Sequence, residues 1–243
     1  MASIIKADTL QSTTSNVFVL NSAGTEYARF DATGIPTFLK AASGGITIQK
    51  FTTGSGTYTT PANCKAIFVR MVGGGGGGGA SSTNSGTAGG TTTFGVSLTC
   101  TGGGGGQHGA SIGGNAGTGG TATGGDLEVT GSTGGAGAKD TGNPTGGMGG
   151  NSVFGGAATG GLKDIAGSNA IGYGSGGGGG GGSVGSLNSA GGGGAGGYLE
   201  KTIISPDATY SYAVGAKGDG GAAGSYVGGN GVAGIIIVTE YYI

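Results

Sequence analysis

Residues 73–197 contain 54 glycines, and that crowding limits what the chain can fold into more than any other feature. The other 15 of the 69 glycines are spread thinly, 6 in residues 1–72 and 9 in residues 198–243. Ordering a glycine costs roughly 0.5–1 kcal/mol more than ordering an alanine. A region this rich in glycine therefore either stays disordered or recovers the cost through contacts that only glycine permits. The second route is a lattice of extended left-handed helices with three residues per turn and about 3.1 Å rise per residue. Without Cβ atoms, such rods approach closely enough to hydrogen bond with their neighbours, each net bond returning about 0.5–1.5 kcal/mol.

The residue pattern favours packed rods. Gly114, Gly117 and Gly120 keep a triplet phase, as do Gly131, Gly134 and Gly137, with breaks at Thr123 and Asp140. The homoglycine runs 73–79, 102–106, 176–182 and 191–194 fit every phase at once. Polar interruptions at 80–85, 107–108, 139–144 and 184–189 suit turns between short rods.

Strand-forming segments bracket this region. Residues 57–61 and 65–72 lie before it, and 198–204, 209–214 and 234–243 after it, each rich in β-branched and aromatic side chains. Thr91–Thr101 alternates in the same way, and Asp126–Thr130 does so more weakly. No segment carries a capped 3.6-residue apolar period, so helices should be nearly absent. The expectation is an all-β fold, a β-sandwich or sheet with long glycine-rich insertions packed as polyglycine-II helices. The strands at 65–72 and 234–242 should be neighbours, since closing a long insertion costs entropy that grows only logarithmically with its length.

Residues 1–49 read as a separate small β module, with Val17–Leu20 and Thr25–Phe30 forming a hairpin-like unit. It is too small to hold a core alone. Its apolar residues Ile4, Ile5, Leu10, Val17, Val19, Phe30 and Phe38 are expected to pack against copies of the module or against other proteins. Residues 50–243 form the glycine-rich β domain.

Composition excludes several function classes. Ten basic and eleven acidic residues leave a net charge of -1, which offers no basic surface for nucleic acid. Glycine does not recur every third residue and there are only 4 prolines, so the chain is not collagen. Lys6 and Asp8 interrupt any secretory core, and no run of eighteen apolar residues is present to insert in a membrane. The chain is accordingly expected to be made and assembled in a cytoplasm. Asn143-Pro144-Thr145 is no glycosylation acceptor, because proline occupies its middle position. Cys64 and Cys100 are read either as buried thiols or as one bridge.

No catalytic constellation is present, and none for a metal or cofactor. Glycine motifs match by chance in this composition, and no Gly-Lys-Ser/Thr follows them. His108 is the only histidine and reads as a loop residue. Asp126 and Glu128 share a strand face without further oxygen ligands for calcium, so they read as a solvated face. Lys217-Gly218-Asp219 reads as a turn.

Phe51-Thr-Thr-Gly-Ser-Gly-Thr-Tyr-Thr-Thr-Pro61, running through Lys65-Ala-Ile-Phe-Val-Arg-Met-Val72 into seven glycines, resembles the entry to the glycine-rich domain of bacteriophage tail-fibre and adhesin proteins. Gly196-Gly-Tyr-Leu-Glu-Lys-Thr202, Tyr210-Ser-Tyr-Ala-Val-Gly-Ala-Lys-Gly-Asp219 and the final apolar strand extend the likeness over residues 50–243. Met1–Leu10 is similar to the opening of marine-phage virion proteins. This chain departs from the T-even-type adhesins in carrying its own N-terminal module and strong flanking strands. The resemblance implies a non-enzymatic virion protein without cofactors, at a fibre tip or on a projecting fibre. It also implies attachment to other virion proteins through residues 1–49, and a homo-oligomer, with a trimer favoured. The partner at the host would be a cell-surface glycan or outer-membrane protein.

Binding residues concentrate on loops held by a rigid scaffold. The side chains that interrupt the glycine are therefore the candidate host contacts: Gln107, His108, Lys139, Asp140, Asn143, Phe154, Lys163, Asp164, Tyr173 and Leu187. Phe154 and Tyr173 have a second reading, as covers on the edges of the lattice. Two other functions fit the composition. One is a non-adhesive capsid or tail decoration protein; the other is an ice-binding protein, against which the phase breaks at Thr123 and Asp140 argue.

Overall fold

The computed structural model describes residues 17–20, 26–30, 36–37, 45–109, 113–140, 142–183, 185, 188–222 and 225–242. They are all-β, with no helix among them. The chain divides into a small N-terminal unit and a large unit, Ile46–Tyr241. In the small unit, β1 (Val17–Leu20), β2 (Glu26–Phe30) and β3 (Pro36–Thr37) form an antiparallel sheet that pairs Val17 with Phe30 and Val19 with Ala28. Ile4, Ile5, Leu10 and Phe38 lie outside the described residues.

The large unit contains two five-stranded antiparallel sheets. One has the order β10 (Leu127–Val129), β11 (Tyr198–Ile204), β6 (Cys64–Val72), β13 (Ile235–Tyr242), β4 (Ile46–Phe51). The other runs β5 (Ser55–Thr59), β12 (Thr209–Ala213), β7 (Thr92–Phe94), β8 (Leu98–Cys100), β9 (Ala122–Thr123). As the sequence suggested, β6 and β13 lie side by side. The core between the sheets is built from alternate residues of each strand: Ile67, Val69, Met71, Leu199, Ile236 and Val238 on one side, Tyr58, Phe94 and Leu98 on the other. The Phe94 and Tyr210 rings stack there, with centroids 5.0 Å apart. Cys64 and Cys100 are both free thiols, so no bridge joins them; Cys100 is buried and Cys64 half-buried.

β4 begins four residues before the domain boundary expected after residue 49. Its alternation is inverted, which hides it as a strand. Thr47 and Gln49 face inward and donate to the Glu240 carboxylate, Gln49 from 2.7 Å, while Ile46 and Ile48 face outward. Glu240 is 1% exposed and also accepts from Tyr58 of the opposite sheet at 2.9 Å.

Beyond the sheets the glycines form rods whose hydrogen bonds repeat every third residue, the period of a three-residue-per-turn helix. The rod at 73–81 shows the arrangement. Gly73, Gly76 and Gly79 donate to the rod at 191–197, Gly74, Gly77 and Ala80 to that at 84–90, and Gly75, Gly78 and Ser81 to that at 226–232, all at 2.8 or 2.9 Å. Its carbonyls accept from three further rods, at 103–109, 177–180 and 218–221. Six neighbours surround it. The rods at 174–182 and 189–197 are enclosed in the same way, and these three rods touch one another at the lattice centre.

Enclosure explains the homoglycine runs. A residue with neighbours on all three sides of the helix has no outward direction for a side chain. A Cβ on Gly73, Gly74 or Gly75 would come within 2.2 Å of a carbonyl oxygen of another rod, a different rod in each case. The peripheral rod at 113–121 faces inward only with Gly114, Gly117 and Gly120 and outward with Asn115, Thr118 and Thr121, which keeps the triplet phase. The phase breaks are rod ends: Thr123 lies in β9 and Asp140 in a turn.

Candidate functional site: the distal loops

The rods run alternately away from the sheets and back, because each turn reverses the chain. Starting from Gly73 at the end of β6, the described rods show the chain reversing at the far end between residues 81 and 85, 109 and 113, 140 and 144, 162 and 166, 183 and 188, and 222 and 226. It turns at the near end at 94–98, 122–130, 151–156 and 171–174, and passes through β11 and β12. The rods span roughly 25 Å between the two ends. All six far turns therefore share one end of the lattice, opposite the sheets.

Bonds between loops tie this end together. Ser81 donates its N–H to the Tyr226 carbonyl at 2.9 Å, and the Tyr226 N–H returns to Ser81 Oγ at 3.2 Å. The Tyr226 hydroxyl donates to Asp164 Oδ1 at 2.7 Å and accepts from Ser183 Oγ at 3.4 Å, which links three loops. Ser85 and His108 join two more: the His108 N–H donates to Ser85 Oγ at 3.1 Å, and the ring Nδ1 lies 3.3 Å from the same oxygen. Asn115 Nδ2 donates to Gln107 Oε1 at 3.1 Å, and the Gly142 N–H to Asp140 Oδ1 at 2.8 Å. Asp164 takes a left-handed φ of 61° in a tight turn closed by Ile165 N–H to Leu162 carbonyl at 2.9 Å. Aspartate tolerates that conformation better than most side chains.

Of the candidate contacts, Gln107, His108, Lys139, Asp140, Asn143, Lys163 and Asp164 lie at this distal end. Leu187 is outside the described residues. Phe154 and Tyr173 instead occupy the near turns, a rod's length away. The Phe154 ring meets Tyr198 of β11 edge-on at 5.6 Å and covers Val72 and Ile235. Ser152 Oγ donates to the Tyr173 carbonyl at 2.6 Å, joining the two near turns. Phe154 is thus a cover on the sheet, the second of its readings, and Tyr173 sits beside it.

The sequence reading missed Tyr226 and Val227, and placed Leu162 and Ile165 at rod tips or outer faces without counting them among the candidate contacts. The last three are exposed at the distal end, so polar and apolar groups are presented together. The signal that would have found them is parity: counted from residue 72, every other interruption is distal.

Asp126 and Glu128 take structural roles. Asp126 accepts from Lys201 Nζ at 2.6 Å and from the Thr202 N–H at 2.9 Å, and these bonds, the lysine's first, hold its carboxyl below the usual range. Glu128 accepts from the Gly125 N–H at 3.0 Å. Among the described residues, no group of three or more His, Cys, Asp or Glu side chains could hold a metal ion. No helix in them is long and apolar enough to cross a membrane. No family model, no curated protein and no solved structure matches this chain.

Proposed function

We propose that this chain is a bacteriophage virion protein that binds the host surface with its distal loops and works by recognition, without catalysis. One observation carries the reading: six loops of varied side chains emerge together at one end of a cross-bonded glycine lattice. The lattice holds the rods on either side of these loops in place, which lowers the ordering entropy to be lost on binding. Residues 1–49 would hold the protein to its particle, as the likeness to phage fibres implies.

The distal chemistry suits a glycan or an outer-membrane protein. Gln107, Asn143 and Asp140 offer hydrogen bonds, Lys139 and Lys163 offer positive charge, and Leu162, Ile165 and Val227 offer apolar contact. Competition of the purified chain with particles for adsorption to host cells tests the proposal. The expected result is inhibition by the intact chain and weakened inhibition by a Lys139→Ala/Lys163→Ala variant. A chain that is present on particles and leaves adsorption unchanged would instead be a decoration protein.

A further inference from the structure

The outer faces of the two sheets have opposite characters. On the β5–β12–β7–β8–β9 sheet the register brings Ser55, Thr57, Thr59, Thr93, Thr99, Thr123, Thr209, Ser211 and Ala213 to one face, with no large apolar side chain among them. On the other sheet the outward positions include Ile46 and Ile48 of β4, Leu127 and Val129 of β10, and Ile204 of β11, all exposed. The near turns extend this face: Phe154 packs on Tyr198 and Val72, and the adjacent Val153, Ile171 and Tyr173 are exposed, Ile171 to 94%.

We infer that this outer face of the β10–β11–β6–β13–β4 sheet is the surface by which copies of the chain associate. The first support is the inverted alternation of β4. A strand edge exposed to water would place its polar residues outward. Here Thr47, itself exposed, and the half-buried Gln49 turn to the inner side and bond the buried Glu240 carboxylate, while Ile46 and Ile48 remain 61% and 55% exposed on the outer side. The second is apolar surface. Five large apolar side chains of the sheet, from 38% exposed at Val129 to 71% at Ile204, lie open on this face together with those of the near turns, and exposed apolar surface gathered on one face marks an interaction site.

Two features select a second copy as the occupant. The face carries both signs of charge, with Lys50 and Arg70 against Glu200, so it can complement an identical surface. In sequence, β4 also follows directly on the N-terminal unit, whose described strands have only four, five and two residues. A unit that small is stabilised by joining copies. Joining them would in turn hold their sheet faces at high effective concentration.

The test uses the full chain and is independent of host binding, so its failure would leave the reading of the distal loops standing. Light scattering across a dilution series should give an integer multiple of the chain mass. Ile48→Glu/Ile204→Glu should leave only the association of the small N-terminal units, so that the mass falls toward the monomer on dilution with a nearly unchanged Tm, since both side chains are already mostly exposed. Thr57→Glu/Ser211→Glu, on the hydroxyl-bearing sheet, should leave the oligomer intact. Hydrogen exchange of the unaltered chain provides a readout that needs no variant: amides of Ile46–Phe51 should gain protection as concentration rises. A monomeric chain, an oligomer that survives dilution in Ile48→Glu/Ile204→Glu, or β4 protection independent of concentration would each overturn the inference.

Discussion

A methyl group on Gly76 would lie 2.1 Å from the carbonyl oxygen of Gly104, on the neighbouring rod. The obstacle is backbone, held by its own hydrogen bonds, so no side chain can swing aside. Gly76→Ala should therefore destabilise the fold by at least about 3 kcal/mol, beyond the usual overpacking range. Gly156→Ala, where a Cβ meets nothing within 4 Å, should be neutral or stabilising by up to about 1 kcal/mol. Urea denaturation of both variants checks the contrast.

Tyr58 and Glu240 join the two sheets through a buried hydrogen bond to a carboxylate. Tyr58→Phe removes that donor and leaves Thr47 and Gln49 to solvate the carboxylate. The expected loss is about 1.5–3 kcal/mol, the range for a hydrogen bond to a charged group. A smaller loss in denaturation experiments would mean that water takes the place of the hydroxyl.

Alkaline pH should weaken the fold through the same residue. Burial, and then the hydrogen bonds to Glu240 and Glu200, raise the pKa of Tyr58 and of Tyr198 above their ordinary value. Above a pH of about 10 the unfolded chain releases tyrosine protons that the folded chain retains, so stability falls as pH rises. Each tyrosine adds a slope approaching 1.4 kcal/mol per pH unit, by the order-of-magnitude conversion. Tyr58→Phe should flatten the decline measured between pH 9 and 12.

The two cysteines should differ sharply toward a thiol reagent. Burial pushes the Cys100 thiol up to about 12 and removes it from solvent, whereas Cys64 is half-buried. At pH 8 the folded chain should label at Cys64 alone, and Cys100 should react only at the rate of unfolding. Mass spectrometry of the labelled peptides distinguishes them.

Phe154 and Tyr226 should separate stability from recognition. Phe154→Ala opens the cover over Val72, Tyr198 and Ile235 and should cost up to about 3 kcal/mol, the low end for a phenylalanine truncation. Its inhibition of host adsorption should be unchanged at temperatures where it is folded. Tyr226→Ala, which removes the hydroxyl shared by three distal loops, should weaken inhibition about tenfold or more while the sheets melt normally.

The sequence by itself determined the elements. β-Branched and aromatic residues set the main strands, and a homoglycine run can be densely packed only where no side chain is admitted. Glycine at 114, 117 and 120 revealed the three-residue period, and the strands at either end of the glycine region marked their own pairing. Tertiary structure alone decided the partners. A run such as Gly176–Gly182 fits any phase and any direction, so nothing local says that it is central or which six rods surround it. The same freedom hid the strand at Ile46–Phe51, because Thr47 and Gln49 make sense as inward residues only once Glu240, some 190 positions later, is buried against them. It also concealed that Phe154 and Asp164, ten residues apart, lie at opposite ends of the lattice. Reversal of the chain at each turn separates them, and the hydrogen bonds between rods fix that reversal.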